Sequence, residues 1–481
     1  MLRHTLHRAR PAATGLLTTL ALVSGGPLAT SPAAAASPSA TPPPHYLLVG
    51  GTGSADVGVL AVERDGTTST VPGAPFVTGI GSLSLAITPD ARTVFVAQAD
   101  GALTSYRIGP GGALTDGVRT LVGAPVLGLS ITPDGSRLFA TLGGLHNEVR
   151  SFSIASSGQL TPTGRPGAHI AGLNVFALPA ISPDGRYLFV AGYLTNTVTT
   201  FAIAPDATLT QVGEPIPTGD KPVMPTVTPD GRFLYISNEG GSNLSGYAIG
   251  PGGTLTPTPG GHYATGGTPH GTSITPDGHR LYVPESTGGN ISGFRIGDDG
   301  ALTRLPGSPF PGPGGGAMPG RVVLSPDTRR AFVIDALTPG ITSKVHSYAV
   351  GSDGSLTPSG LPTADSGVVF SDGPSSEITP NQGPVAALRV AGAQGRTYTL
   401  SAQASTDSDG TIARYAWDFG DGETVTTTTP EVTHTYRDSS TRTATVTITD
   451  DEDCSTRLIY TGQTVRCNGG PVARASLEVS G

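Results

Sequence analysis

Short apolar runs recur along most of the chain, separated by polar turn residues. Two kinds of run alternate. Tyr187-Leu188-Phe189-Val190, Phe233-Leu234-Tyr235-Ile236 and Leu281-Tyr282-Val283 are continuous and rich in β-branched and aromatic residues. They predict strands covered on both faces. Val198-Thr199-Thr200-Phe201-Ala202-Ile203 alternates apolar with polar positions and predicts a strand with one buried face. Ahead of most continuous runs stands a Ser/Thr-Pro-Asp triplet, often followed by glycine, as in Ser182-Pro183-Asp184-Gly185. Proline presets φ, aspartate bonds the local backbone and glycine accepts positive φ, so the triplet predicts a tight turn.

The pattern is periodic. Its prolines are Pro89, Pro133, Pro183, Pro229, Pro276 and Pro326, with successive spacings of 44, 50, 46, 47 and 50. Periods of this size fit a four-stranded propeller blade. Six turns precede seven copies of the continuous strand, which start at Tyr46, Thr93, Arg137, Tyr187, Phe233, Leu281 and Arg330. The first copy lacks an inner strand. A half-repeat at Ile378-Thr379-Pro380-Asn381, with asparagine in place of aspartate, follows the last. Residues near 374–380 are therefore expected to pair with the first blade and close a seven-bladed ring over 45–381. Closure removes the open sheet edge.

Composition fits this picture. Glycine (69) and proline (43) reach a level that marks disorder in aperiodic sequence, but here they punctuate strands. The net charge of −8, with no basic cluster, argues against a nucleic-acid partner. Arg3, Arg8 and Arg10, an apolar stretch over residues 12–23 and Ala34-Ala35-Ala36 predict a signal peptide over 1–36, followed by a Pro/Ser-rich linker over 37–44. The apolar stretch is too short to span a membrane comfortably. The expectation is a secreted, extracellular monomer without membrane insertion. Two cysteines, Cys454 and Cys467, fit an oxidising compartment. A disulfide between them would contribute about 3 kcal/mol on the chain-entropy model.

The repeats resemble the YVTN and lactonase-type propeller families, which include bacterial 6-phosphogluconolactonase. Beyond Pro384 the repeat stops. Trp417-Asp418-Phe419-Gly420-Asp421-Gly422, followed by His434-Thr435-Tyr436, resembles the signature of a PKD domain, an Ig-like β-sandwich, over 384–481. Trp417 is expected in its core, with Tyr415 and Phe419 on the same strand face. The expected fold is thus all-β, a seven-bladed propeller followed by a sandwich.

Candidate chemistry lies in loops that open on one propeller face. Gln98, Lys221, Arg321 and Asp335 are expected to line its mouth as ligand-binding groups. Lactonase relatives carry an Arg and a Glu thought to act on the lactone. The resemblance places Glu239 at that Glu and Val223 at that Arg. In the next blade His270 stands at the Arg position, Gly271 at the following His position, and Glu285 arrives one residue early. Glu239, His270 and Glu285 are therefore the candidate catalytic set, with His270 and a glutamate able to perform general-base hydrolysis. No cofactor is expected, although Asp407 and Asp409 offer hard oxygen ligands to calcium.

Three functions follow. The first is extracellular binding of a small molecule, carbohydrate or protein through the mouth and the PKD-like domain. The second is lactone hydrolysis at a rearranged site. The third is a structural, surface-associated spacer.

Overall fold

The computed structural model describes residues 45–144, 146–172, 176–336, 342–371 and 373–480. The expected signal peptide and linker lie outside them. Among the described residues no helix is long and apolar enough to cross a membrane.

Seven antiparallel sheets form the propeller. Each runs outward from an inner strand, as in blade five: Pro222–Val227, Phe233–Asn238, Asn243–Ile249 and Leu255–Ala264. Blade one is assembled from both ends of the propeller segment. Its inner strand, Ser376–Ile378, pairs antiparallel with His45–Gly50, joining Leu47 to Ile378 and Val49 to Ser376. The continuous apolar strands are the second strands of each blade. They are buried almost throughout because each is flanked by a strand on either side and by a neighbouring blade on either face. Successive blades trap apolar clusters between them. The ring closes where Val323, Phe332 and Ile334 of blade seven meet Leu47, Leu60 and Ile378 of blade one.

The turn triplet works as its chemistry predicts. Ser182 Oγ donates to Asp184 at 2.5 Å, and the same carboxylate oxygen accepts the Arg186 N–H at 3.1 Å. Thr88–Asp90, Thr132–Asp134, Thr228–Asp230 and Ser325–Asp327 repeat the hydroxyl bond at 2.5–2.6 Å. The seventh turn differs. Asn381 turns away from its own blade and donates through Nδ2 to Asp450 of the second domain at 3.1 Å.

The second domain is a sandwich of a three-stranded and a four-stranded sheet. Trp417, Tyr415 and Phe419 enter its core with Tyr398, Tyr436 and Val446. The signature residues fix one corner. His434 stacks on Phe419 with centroids 3.9 Å apart and lies 2.7 Å from the Asp421 carboxylate, while the Tyr436 hydroxyl donates to the Phe419 carbonyl at 3.0 Å.

After the strand Arg442–Asp450, the chain leaves the sandwich as a hairpin of Leu458–Tyr460 and Val465–Asn468, fastened at its base by the Cys454–Cys467 disulfide. This hairpin enters the propeller channel. Tyr460 donates to the Ile131 carbonyl at 2.9 Å, the Gly462 carbonyl accepts the Ile181 N–H at 2.8 Å, and Gln463 donates to the Pro225 carbonyl at 2.9 Å. Arg466 donates to the Leu324 carbonyl at 2.9 Å. Inner strands of four blades thus hold one hairpin. Its tip requires glycine: Gly462 has φ +88°, and a Cβ there would lie 2.9 Å from the Val227 nitrogen.

Candidate functional site

The hairpin bonds to the C-terminal ends of the inner strands. Their N-terminal ends open on the opposite face, where a cavity of about 50 Å³ is lined by Leu83, Leu127, Leu178, Val223, Glu239 and His270, among others. The channel is therefore filled from one face and indented from the other.

Strand ends position the polar groups. Glu239 follows the second strand of blade five, and its N–H donates to the Lys221 carbonyl at 3.0 Å. His270 enters blade six, with its N–H on the Pro284 carbonyl at 3.0 Å. The two side chains meet, His270 Nε2 lying 2.8 Å from Glu239 Oε1, and both are largely buried. His270 Nδ1 lies 3.1 Å from the Gly320 carbonyl oxygen. Both ring nitrogens therefore face oxygen atoms. The result is a histidine–carboxylate pair beside an apolar wall.

Val223 supplies part of that wall, 3% exposed at the position where the lactonase resemblance places arginine. A register shift between Val223 and Thr226 puts Met224 at φ +48° and buries its side chain fully. Met224 and Arg321 lie beneath the His270 pair: a Cβ at Gly271 would sit 2.5 Å from Met224 Sδ and 3.2 Å from an Arg321 nitrogen.

The other sequence candidates go elsewhere. Gln98, Glu285 and Asp335 do not line the cavity. Each ends a second strand and ties it to the loop entering the same blade. Gln98 donates to the Thr78 carbonyl, Glu285 accepts the Gly266 N–H at 2.8 Å, and Asp335 accepts the Met318 N–H at 2.8 Å. Asn238 occupies the same station in blade five, on Asn243 and Ser245. Burial explains the polar residue: the loop N–H or carbonyl needs a partner at a strand end. Lys221 stands exposed on the rim with φ +55°. Arg321 is inside the channel, where its guanidinium meets Glu377 at 3.4 Å and Gln463 of the hairpin at 3.2 Å.

Sequence reasoning missed the channel hairpin, Glu377 and Arg466. The one signal was two cysteines flanking an apolar run inside an otherwise polar tail.

Asp407 and Asp409 lie where the sandwich meets the propeller, with Asp450, Asp451, Glu452 and His45. Asp409 accepts the Gln382 N–H at 2.9 Å, Asp450 accepts the Glu452 and Cys454 N–H groups at 2.9 and 2.8 Å, and His45 lies 2.8 Å from Glu452. Among the described residues no three His, Cys, Asp or Glu side chains converge as metal ligands. Burial pushes Asp409 up to about 7 and Asp450 up to about 6.

Comparison with known proteins agrees with this architecture. Residues 123–226 and 224–318 match the family described as lactonase, 7-bladed beta-propeller, and residues 381–465 match the PKD domain. The chain combines a lactonase-type seven-bladed propeller with a PKD domain. Among solved structures it is similar to the periplasmic gluconolactonase of Pseudomonas aeruginosa, at 21% identity and a TM-score of 0.57, over 70% of this chain and 99% of that one. A protein from Lactobacillus plantarum shares 16% identity with a TM-score of 0.57, over 70% and 98%. A functionally unknown protein from Desulfotomaculum acetoxidans shares 18% identity with a TM-score of 0.53, over 69% and 98%. At these identities the likeness concerns the fold. No curated protein sequence matches the chain.

Proposed function

We propose that this is a secreted ligand-binding protein whose propeller mouth takes a small amphipathic molecule. One observation carries the reading: the Glu239–His270 pair, its two side chains 2.8 Å apart, faces a cavity walled by Leu83, Leu127, Leu178 and Val223. Ligand pockets usually measure roughly 300–1,000 Å³. A cavity of about 50 Å³ therefore takes one group of the ligand, and the remainder lies across the rim. Phe176, 39% exposed, and Lys221 offer an aromatic face and a cation there. The disulfide fits an oxidising compartment. In this reading the PKD domain closes the far end of the channel and presents its outer sheets to a further protein or polysaccharide partner.

Lactone hydrolysis is the second reading, favoured by the 2.8 Å Glu239–His270 contact on a lactonase-type fold. With Val223 in the arginine position, the guanidinium that would hold a developing oxyanion is replaced by an apolar side chain.

The two readings separate in one experiment. The purified chain is presented with a panel of sugar and acyl lactones and the corresponding acids, with binding followed by calorimetry and acid release by pH-stat. The expected result is binding weakened about tenfold or more by His270→Ala, roughly 1.4 kcal/mol or more, without acid release above the heat-inactivated chain. Acid release that Glu239→Ala abolishes would establish the hydrolase and overturn the binding reading.

A further inference from the structure

The filled half of the channel carries an imbalance of charge. Arg321 and Arg466 are 4% and 3% exposed, and among the described residues Glu377, 4% exposed, is the one carboxylate set against them. Arg321 comes from blade seven, Glu377 from the closing strand of blade one, and Arg466 from the hairpin. Two guanidinium groups and one carboxylate leave an excess positive charge out of contact with water.

The hydrogen bonding is incomplete in the same place. Glu377 reaches Arg321 only at 3.4 Å. Arg466 spends one nitrogen on the Leu324 carbonyl and Arg321 another on Gln463. Arg321 Nε, Arg466 Nε and Glu377 Oε2 are buried without a partner. Such groups are rare in folded proteins because each costs about 1–3 kcal/mol when left unmet. Glu377 bonds Arg321 while Arg466 turns to the Leu324 carbonyl, so in this structure the carboxylate does not bridge the two guanidinium groups.

We propose that the closed channel binds a small monovalent anion of halide size, held by Arg321 and Arg466 beside Glu377. One negative charge brings the cluster to neutrality, whereas a dianion would reverse the imbalance. A halide accepts N–H donors from any direction, which suits two guanidinium groups presented by different strands. The site is complete only when the hairpin is seated, so the anion ties the PKD domain to the propeller. Burial depresses both arginines, Arg466 to about 10 with Arg321 adding to the fall, and the same burial raises Glu377.

Crystals of the full chain soaked in sodium bromide and measured at the bromine edge test the site directly. The expected result is an anomalous peak within hydrogen-bonding reach of both guanidinium groups. In solution, replacing methanesulfonate by chloride at constant ionic strength is expected to raise the unfolding midpoint saturably, on the order of 2 °C. Arg466→Met is expected to abolish that rise by removing the excess charge. Bromide absent from the arginines, or a midpoint that follows ionic strength whatever the anion, overturns the proposal. The wild-type bromide map decides the matter even if Arg466→Met does not fold.

Discussion

Six turns of the propeller end on an aspartate that serves its own blade, and the seventh ends on Asn381, which serves another domain. In the six, the carboxylate accepts a neighbouring hydroxyl and a backbone N–H, and nothing beyond the turn is needed. At the seventh the amide donates to Asp450, which is 1% exposed and already accepts two backbone N–H groups. An aspartate there would set two carboxylates together without water. The one departure at the aspartate position thus marks the turn that serves the second domain. The short path from Asn381 to Gly383 makes the same point: Asn381–Gln382 already pairs in parallel with the hairpin strand Val465–Asn468.

The substitution Asn381→Asp breaks this contrast. It is expected to destabilise the folded chain by roughly 2–3 kcal/mol, through a lost hydrogen bond and a buried like-charge contact. The reciprocal Asp230→Asn, in a self-contained turn, is expected to cost under about 1 kcal/mol, since an amide oxygen still accepts both bonds. Denaturant titration of the two variants measures the difference. Equal effects would mean that the seventh turn is not special.

Acidity sharpens the contrast with a smaller effect. Around the seventh turn burial raises Asp407, Asp409 and Asp450, the last two to about 7 and about 6. Burial alone would lower His45, but Glu452, Asp409 and Asp327 raise it. Asp451 faces Arg64 and the Thr411 N–H, and is held low. A carboxyl whose folded value exceeds its unfolded value of 3.8 binds protons better when folded. Its contribution is greatest below that unfolded value and falls as the pH rises toward 7. His45 acts in the same direction, its stabilisation lost as the pH rises above 6.5 through its folded value. The chain is therefore expected to lose on the order of 1–2 kcal/mol between pH 5.5 and pH 8. Chemical denaturation across that range checks it. A midpoint that rises with pH, or calcium restoring the midpoint at pH 8, would contradict protonation as the way this joint is neutralised.

The repeat was legible because its period, turn triplet and strand composition are local. Six Pro-Asp turns, seven continuous strands and the Ile378–Asn381 half-repeat were enough to count the blades and predict the closing strand. Trp417 and its signature were legible for the same reason. Side-chain destinations were less so. Gln98, Glu285 and Asp335 stand at loop-facing strand ends, but the nearest unmet backbone group belongs to their own blade and takes them inward. Arg321 follows a register shift between Pro319 and Arg321 that no residue type announces, and such a bulge re-aims the side chain. The hairpin at 458–468 looked like one more piece of the sandwich. Only the three-dimensional ring provides the channel that receives it.

Trp417 allows the most direct test of the claim that the hairpin makes propeller and sandwich one cooperative body. It is the only tryptophan in the chain and lies in the sandwich core, so its fluorescence reports the sandwich alone. Far-UV circular dichroism reports mainly the propeller, which holds most of the strands. Coincident urea transitions by the two probes are predicted, because withdrawing the hairpin exposes Tyr460, Arg466 and Glu377 at once. A tryptophan transition clearly separated from the dichroism transition would show two independently folding domains and contradict the account.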